Sequence, residues 1–369
     1  MLHRIATCVL LLTAFAAAEQ FEDKQTKTFD FKPGTTLRFG AEYGHLDVRT
    51  GNVNNVTLET YRRVETPDKA TADQIFKDLS VESKPQTDGL DIRAFYKDGW
   101  VERDGWDSWE GNRGPCMSGD NLTPSRNTDR TYCLKYGRYL RETRYTLTVP
   151  KKLNLNVQTR AGHISIDDVD GPVTAWSAGG HISVGHVGGA ADIHTAGGHI
   201  TVADSTGPAT LKTAGGHIKI GDVGGDLVAT TAGGHIEAGH VKGSVKSKTA
   251  GGHISIAQAD GAIEAKTVGG NVTARIGGQP KEASYIESSA GSVNVELASN
   301  IKVDVDAESS GGSIQSDYEL ERPADSDRDS FSRWNRGGSA RGKINGGGPR
   351  LELRTTHGRI RIVKATFQY

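Results

Sequence analysis

Through the middle of the chain, apolar residues fall one, three, six, ten and twelve places after a histidine, and the pattern then repeats. The histidines His163, His181, His199, His217, His235 and His253 are spaced by 18, and Asn271 takes the next place in register. Each is followed by an isoleucine, from Ile164 to Ile254, and a glycine stands eight places on, from Gly171 to Gly261. Ile182 and Val184 alternate with His181 and Ser183, and Ala191, Ile193 and Thr195 alternate with Asp192 and His194. That alternation predicts two short strands per unit, each with its apolar side inward. Lys212, Lys248 and Lys266 fill the outward place of His194 in later units. Neither strand is long enough to stand alone. Stacking equivalent strands at about 4.8 Å per unit pairs their backbone groups and closes a thin core. Glycine is expected at the corners for its positive φ. The inward places do not divide into three equal sides, so a flattened coil with two main faces is expected, of either hand. A helix is excluded here, because glycine at this density would cost about 1 kcal/mol per site.

Looser units extend the plan. Tyr43-Gly44-His45-Leu46 reads as an early one, and Gly269-Gly270-Asn271, Ala290-Gly291-Ser292 and Gly311-Gly312-Ser313 continue it with the spacing relaxed to 21. His357-Gly358-Arg359-Ile360 reads as a closing unit, since the ends of a solenoid need atypical caps. Residues 68–80 pattern as a short helix starting near Asp68, with Ile75, Phe76 and Leu79 on one face. Residues 97–140 form a polar, aromatic insertion, and the charged, Gly/Ser-rich stretch 321–348 is expected to be a mobile loop.

The first residues change where such a protein is expected to work. Arg4, an apolar run from Ile5 to Ala17 and Ala16-Ala17-Ala18 before Glu19 fit a cleaved secretory signal peptide over 1–18. Cys8 lies inside the apolar run, which speaks against a lipid-anchored cysteine. Cleavage removes Arg4 and moves the net charge from −1 to −2. That balance argues against a nucleic-acid partner. Cys116 and Cys133 then remain, and in an oxidising compartment they are expected to form one disulfide, with free thiols the alternative. No second apolar stretch is long enough to span a membrane. The expected fold class is all-β: a β-solenoid, β-helix-like, of 18-residue coils, with one short helix and a disulfide-bearing loop insertion near the N-terminus. The expected parts are a signal peptide (1–18), an N-terminal strand region (19–149), the regular solenoid (150–320), the loop (321–348) and closing strands (349–369).

The opening strands Thr146-Leu147-Thr148-Val149-Pro150 and Leu153-Asn154-Leu155-Asn156-Val157, the Gly-His-Ile turns, and the ending from Gly346-Gly347-Gly348 through Leu351-Glu352-Leu353 to Gly358-Arg359-Ile360 resemble a known bacterial family. It is the adhesin-like β-strand-repeat family of exported or envelope proteins, the domain-of-unknown-function family numbered four thousand and ninety-seven. The stretches Ala70–Leu79 and Leu90–Ala94 fit the same layout, so the resemblance spans roughly residues 35–364. It implies an exported or envelope protein, and it carries over no catalytic residue. The chain departs from the pattern in its regular histidines and in its cysteine-bearing insertion.

Candidate chemistry is sparse. If coils stack in register, His163, His181, His199, His217, His235 and His253 line one edge, where neutral imidazoles could bind a divalent metal. The competing reading makes each histidine a corner residue that stacks on its equivalents and bonds nearby backbone. His186, His194 and His240 add scattered neighbours, His186 and His240 at another point of the coil. Trp100, Trp106 and Trp109 could meet a glycan or protein partner, or cover an open strand edge. No Gly-x-Ser-x-Gly elbow, Walker loop or His-Glu-x-x-His occurs. A glycan-active β-helix enzyme would need carboxylates gathered on one face; Asp167, Asp168, Asp204, Asp222 and Glu237 read as scattered. Thr195, Thr213, Thr231 and Thr249 are expected to point inward, which removes the flat threonine array of an ice-binding face. The expected function is a non-catalytic exported scaffold or binding surface for an envelope protein or glycan, with no cofactor. A polysaccharide-active enzyme and a metal-binding protein are the alternatives.

Overall fold

A computed structural model describes residues 18–96, 139–321 and 338–365. Residues 1–17, where a signal peptide is expected, and Cys116, Cys133, Trp100, Trp106 and Trp109 lie outside the described residues. The described residues divide into two compact units, one gathering 18–25, 61–80, 96 and 139–143, the other 26–60, 81–95, 144–321 and 338–365.

In the smaller unit the expected helix runs Lys69–Asp78. Asp68 caps it, its carboxylate accepting from Thr71 N at 2.8 Å, which satisfies one of the amides a helix start leaves open. That hydrogen bond also holds the Asp68 carboxyl below its ordinary pKa. Ala72 and Ile75 are buried with Val64 and Tyr96, and Phe76 and Leu79 pack against them. Arg62 is fully buried, and its two terminal nitrogens are engaged by an ion pair with Asp23 and by donating to Phe76 O at 2.7 Å.

In the larger unit two parallel sheets stack coil on coil, as the two-faced coil requires. One takes Ile164–Ile166, Ile182–Val187, Ile200–Ser205, Ile218–Ile220, Ile236–Val241 and Ile254–Ala259 in turn. The other takes Val173–Ser177, Ala191–Thr195, Ala209–Thr213, Leu227–Thr230, Val245–Lys248 and Ile263–Thr267. Register is strictly 18: Ile182 pairs with Ile200 and Ala191 with Ala209. The isoleucines and valines one and three places after each histidine are buried to within a few per cent. A third inward column, Val169, Val187, Val223 and Val241, closes the short side.

The corner glycines serve a different purpose from the one expected. Among the described residues positive φ occurs only at Gly34, Gly44, Gly162, Asn345, Gly346 and Gly347. In the regular coils the second glycine of each pair is required for space. A Cβ on Gly198 would lie 2.6 Å from His181 N and closer still to the Gly180 carbonyl of the coil before.

The ends depart from sequence order. Thr36–Ala41 pairs with Asn154–Thr159, and Leu46 with Ile164, so residues 36–51 form a coil of the solenoid even though 19–149 reads as a separate region. At the other end Arg350–Thr355 lies between Ser284–Ser288 and Val303–Ser309, and Ile360–Lys364 between Val293–Leu297 and Ile314–Ser316. The coil expected to close the stack is therefore inserted before the preceding one. The loop expected over 321–348 is corrected at Gly338–Ile344, a strand antiparallel to Val303–Ser309. Its edge is held by an ion pair of Arg341 with Asp306, whose carboxylate also takes Arg350 and Arg354.

Candidate functional site

The six histidines of the repeat form one column, and His45, 118 residues before His163, joins it. Successive rings stack with centroids 4.7–5.0 Å apart and planes within 17° of parallel. Each Nδ1 accepts the backbone N–H of the residue one coil on. His199 N donates to His181 Nδ1, His217 N to His199 Nδ1, and His235 N to His217 Nδ1, each at 2.8 Å. Asn271 N closes the series on His253 Nδ1. Asn271 Oδ1 and Ser292 Oγ then accept in the same way from Ser292 N and Arg359 N. The histidine is thus an outer clasp on the Gly-Gly-His turn, joining each coil to the next.

An inner clasp answers it. Thr195, Thr213, Thr231 and Thr249 are buried, as expected. Thr213 Oγ1 donates to Gly198 O at 2.8 Å and accepts from Gly216 N at 3.3 Å, tying two successive turns together. Serine fills the same place at Ser177 and Ser288. Thr213→Val is expected to leave both backbone partners buried and unpaired, at about 1–3 kcal/mol, while Thr213→Ser stays near wild type; denaturant melts of the two variants check this.

The clasp decides the state of the rings. An amide N–H can only donate, so Nδ1 must carry a lone pair, and the neutral ring holds its proton on Nε2. A ring in that tautomer has no lone pair to offer a metal at Nε2. Spacing opposes chelation as well, since two nitrogens on one zinc ion, each at about 2.1 Å, can be no more than about 4.2 Å apart. Among the described residues no group of three or more His, Cys, Asp or Glu side chains is placed to hold an ion. Metal binding by the column would therefore require rings to release their coil-to-coil bonds.

Five places after the column histidines runs a second line: Asp168, His186, Asp204, Asp222, His240 and Gln258. The register pairs His186 with Asp204 and His240 with Gln258, so Asp168, Asp204 and Asp222 are not scattered as the sequence suggested. The signal was available as a shared offset of five. Asp168 and Asp222 accept the backbone N–H of His186 and His240 at 2.8 and 3.0 Å, while the His186 ring pairs with Asp204 and the His240 ring with Asp260. Asp204, Asp222, His240 and Lys242 line an open groove of about 560 Å³. Asp167 and Glu237 stand at other places on the coil.

A parallel two-sheet solenoid with clasped turns defines the class, an all-β repeat protein. The chain belongs to the Toastrack DUF4097 family, whose model matches residues 123–362. Comparison with curated proteins gives no match. Solved structures with likeness to it include a candidate adhesin from Bacteroides fragilis, 11% identical, covering 93% of this chain and 97% of its own, with a TM-score of 0.31. A candidate lipid-binding protein from Parabacteroides distasonis is 15% identical, covering 74% and 96%, at 0.38. A candidate adhesin from Parabacteroides merdae is 10% identical, covering 93% and 96%, at 0.29. Among the described residues no helix is long and apolar enough to cross a membrane.

Proposed function

We propose that the chain is a non-catalytic exported envelope protein whose solenoid serves as a rigid scaffold and binding surface. The observation that carries this reading is the double clasp. The most regular chemical groups of the repeat, imidazole and threonine hydroxyl, are spent on joining coil to coil, and the result is a long, evenly spaced outer surface. Membership of an adhesin-like family agrees with it. Expression of the full chain in a bacterial host, followed by fractionation and intact mass, tests export and processing. The expected product lies outside the cytoplasm, begins at Glu19, and is lighter by two hydrogens than its reduced form, from a Cys116–Cys133 disulfide. An unprocessed chain confined to the cytoplasm would overturn the reading.

The groove favours a second reading, a glycan-active enzyme. Asp204 and Asp222 stand one coil apart beside His240 and Lys242, the kinds of group that acid/base cleavage of a glycan uses. Release of reducing ends from a polysaccharide panel by the wild type, lost in Asp222→Asn, would establish it in place of the first.

A further inference from the structure

The clasp has a consequence at the outer edge of the rings. With Nδ1 occupied as acceptor, every neutral ring of the column presents an Nε2–H, and no protein acceptor meets any of these groups among the described residues. His163, His181, His199, His217, His235 and His253 are exposed. The donors are preorganised, because stacking and the Nδ1 bond fix both the plane and the rotation of each ring. They repeat at the coil height, 4.7–5.0 Å, along a straight line.

The flanks of this line are open. On one side lie the first glycines of each pair: a Cβ on Gly179 would meet nothing within 4 Å, and those on Gly197 and Gly215 would make only ordinary contacts. On the other side the outward residues two places after each histidine are Ser165, Ser183, Thr201, Lys219, Glu237 and Ser255, all exposed. Lys219 and Glu237 pair at 3.4 Å and offset one another. From His163 to His217 the strip therefore carries donors and hydroxyls with no flanking carboxylate at this place. At the His45 end Asp47 is engaged by Arg144 at 4.0 Å.

We propose that the histidine column is a binding strip for a linear acidic polysaccharide, laid along the coil axis with its carboxylates and hydroxyls accepting from Nε2–H groups along the strip. Donors call for acceptors, and charged acceptors make the stronger bonds. A row calls for a polymer, because each exposed contact is weak and only several held at matched spacing add up. A sugar ring linked through its 1 and 4 positions is about as long as one coil is high. The donors are neutral rings and bond acceptors without a basic face, which a nucleic acid would need and which the mature chain, at −2, lacks. The proposal rests on the binding-surface reading and names its ligand class.

Calorimetry at pH 7.5 with oligogalacturonates of two and ten residues tests it on the full mature chain. The decamer is expected to bind and the dimer to bind far more weakly. Asn271 shows that asparagine keeps the clasp while presenting a shorter side chain, its Oδ1 accepting from Ser292 N at 2.8 Å. The triple variant His181→Asn, His199→Asn, His217→Asn is therefore expected to melt near the wild type and to lose decamer affinity by about tenfold or more. The single variant His199→Asp keeps an acceptor, sets a negative charge in mid-strip, and should weaken binding as well. No binding by the wild type, or equal binding by the folded triple variant, overturns the strip. Neither result touches the scaffold reading, which falls instead if the wild type shortens the decamer.

Discussion

Gly216→Ala is expected to abolish folding or to cost more than about 4 kcal/mol, while Gly215→Ala, one residue away, stays within about 0.5 kcal/mol of wild type. The two glycines differ in what stands behind them. A methyl on Gly216 would sit 2.7 Å from His199 N and closer still to the Gly198 carbonyl, all backbone of the neighbouring coil. Relief would require the coils to separate, and they are joined there by the His217 N to His199 Nδ1 bond outside and the Thr213 clasp inside. Opening the gap would therefore break two clasps at once, in a packed stack with no slack. A methyl on Gly215 meets only Gly197 O at 3.5 Å and otherwise projects outward. Thermal and denaturant melts of the two single variants check this. A folded Gly216→Ala with wild-type stability would mean the coils are not packed this closely.

Acidification should loosen the column at His181. Protonation of Nδ1 removes the acceptor for the next coil's amide, and a charged ring lies within 5 Å of its stacked neighbours. Partial loss of water between the stacked rings, with the like charges of His163 and His199 added, already pushes His181 below its ordinary pKa of 6.5. The sign follows from linkage. Where the folded value is depressed, the unfolded chain binds more protons, so stability is full above about 6.5 and falls as the pH drops through that value towards the folded one. The melting temperature is expected to hold from pH 8 to about 7 and to fall steadily below about 6.5. Replacing His181 by asparagine, which accepts without titrating, should flatten that slope. A wild-type melting temperature unchanged between neutral and mildly acidic pH would count against the clasp.

Much of this architecture can be read from the repeat. The alternation of Ile182 and Val184 with Ser183, and of Ile193 with Asp192 and His194, places inward and outward faces correctly, and burial follows it. The helix is legible too, because Asp68 and the spacing of Ile75 and Phe76 are local signals. The site is less legible. Repetition reveals that His181 matters but not which atom it uses, since Nδ1 meets an amide 18 residues away only after the coils stack. Asp204 and Asp222 look unrelated until they are counted from the histidine, because no local motif links side chains in successive coils.

The period of 18 by itself determined the coil, its two strands, its buried isoleucines and the in-line histidines, because a constant spacing forces equivalent residues above one another. Only the tertiary structure decided what the clasps do and how the stack begins and ends. His45 completes the column across 118 residues of sequence, and Arg350–Thr355 enters the sheet ahead of Val303–Ser309. The physical reason is the same in both cases. A regular unit matches any neighbour of equal register, so the repeat pattern does not say which coil comes last. That is settled where strand edges, ion pairs such as those around Asp306, and the close backbone approach behind each second glycine can all be satisfied together.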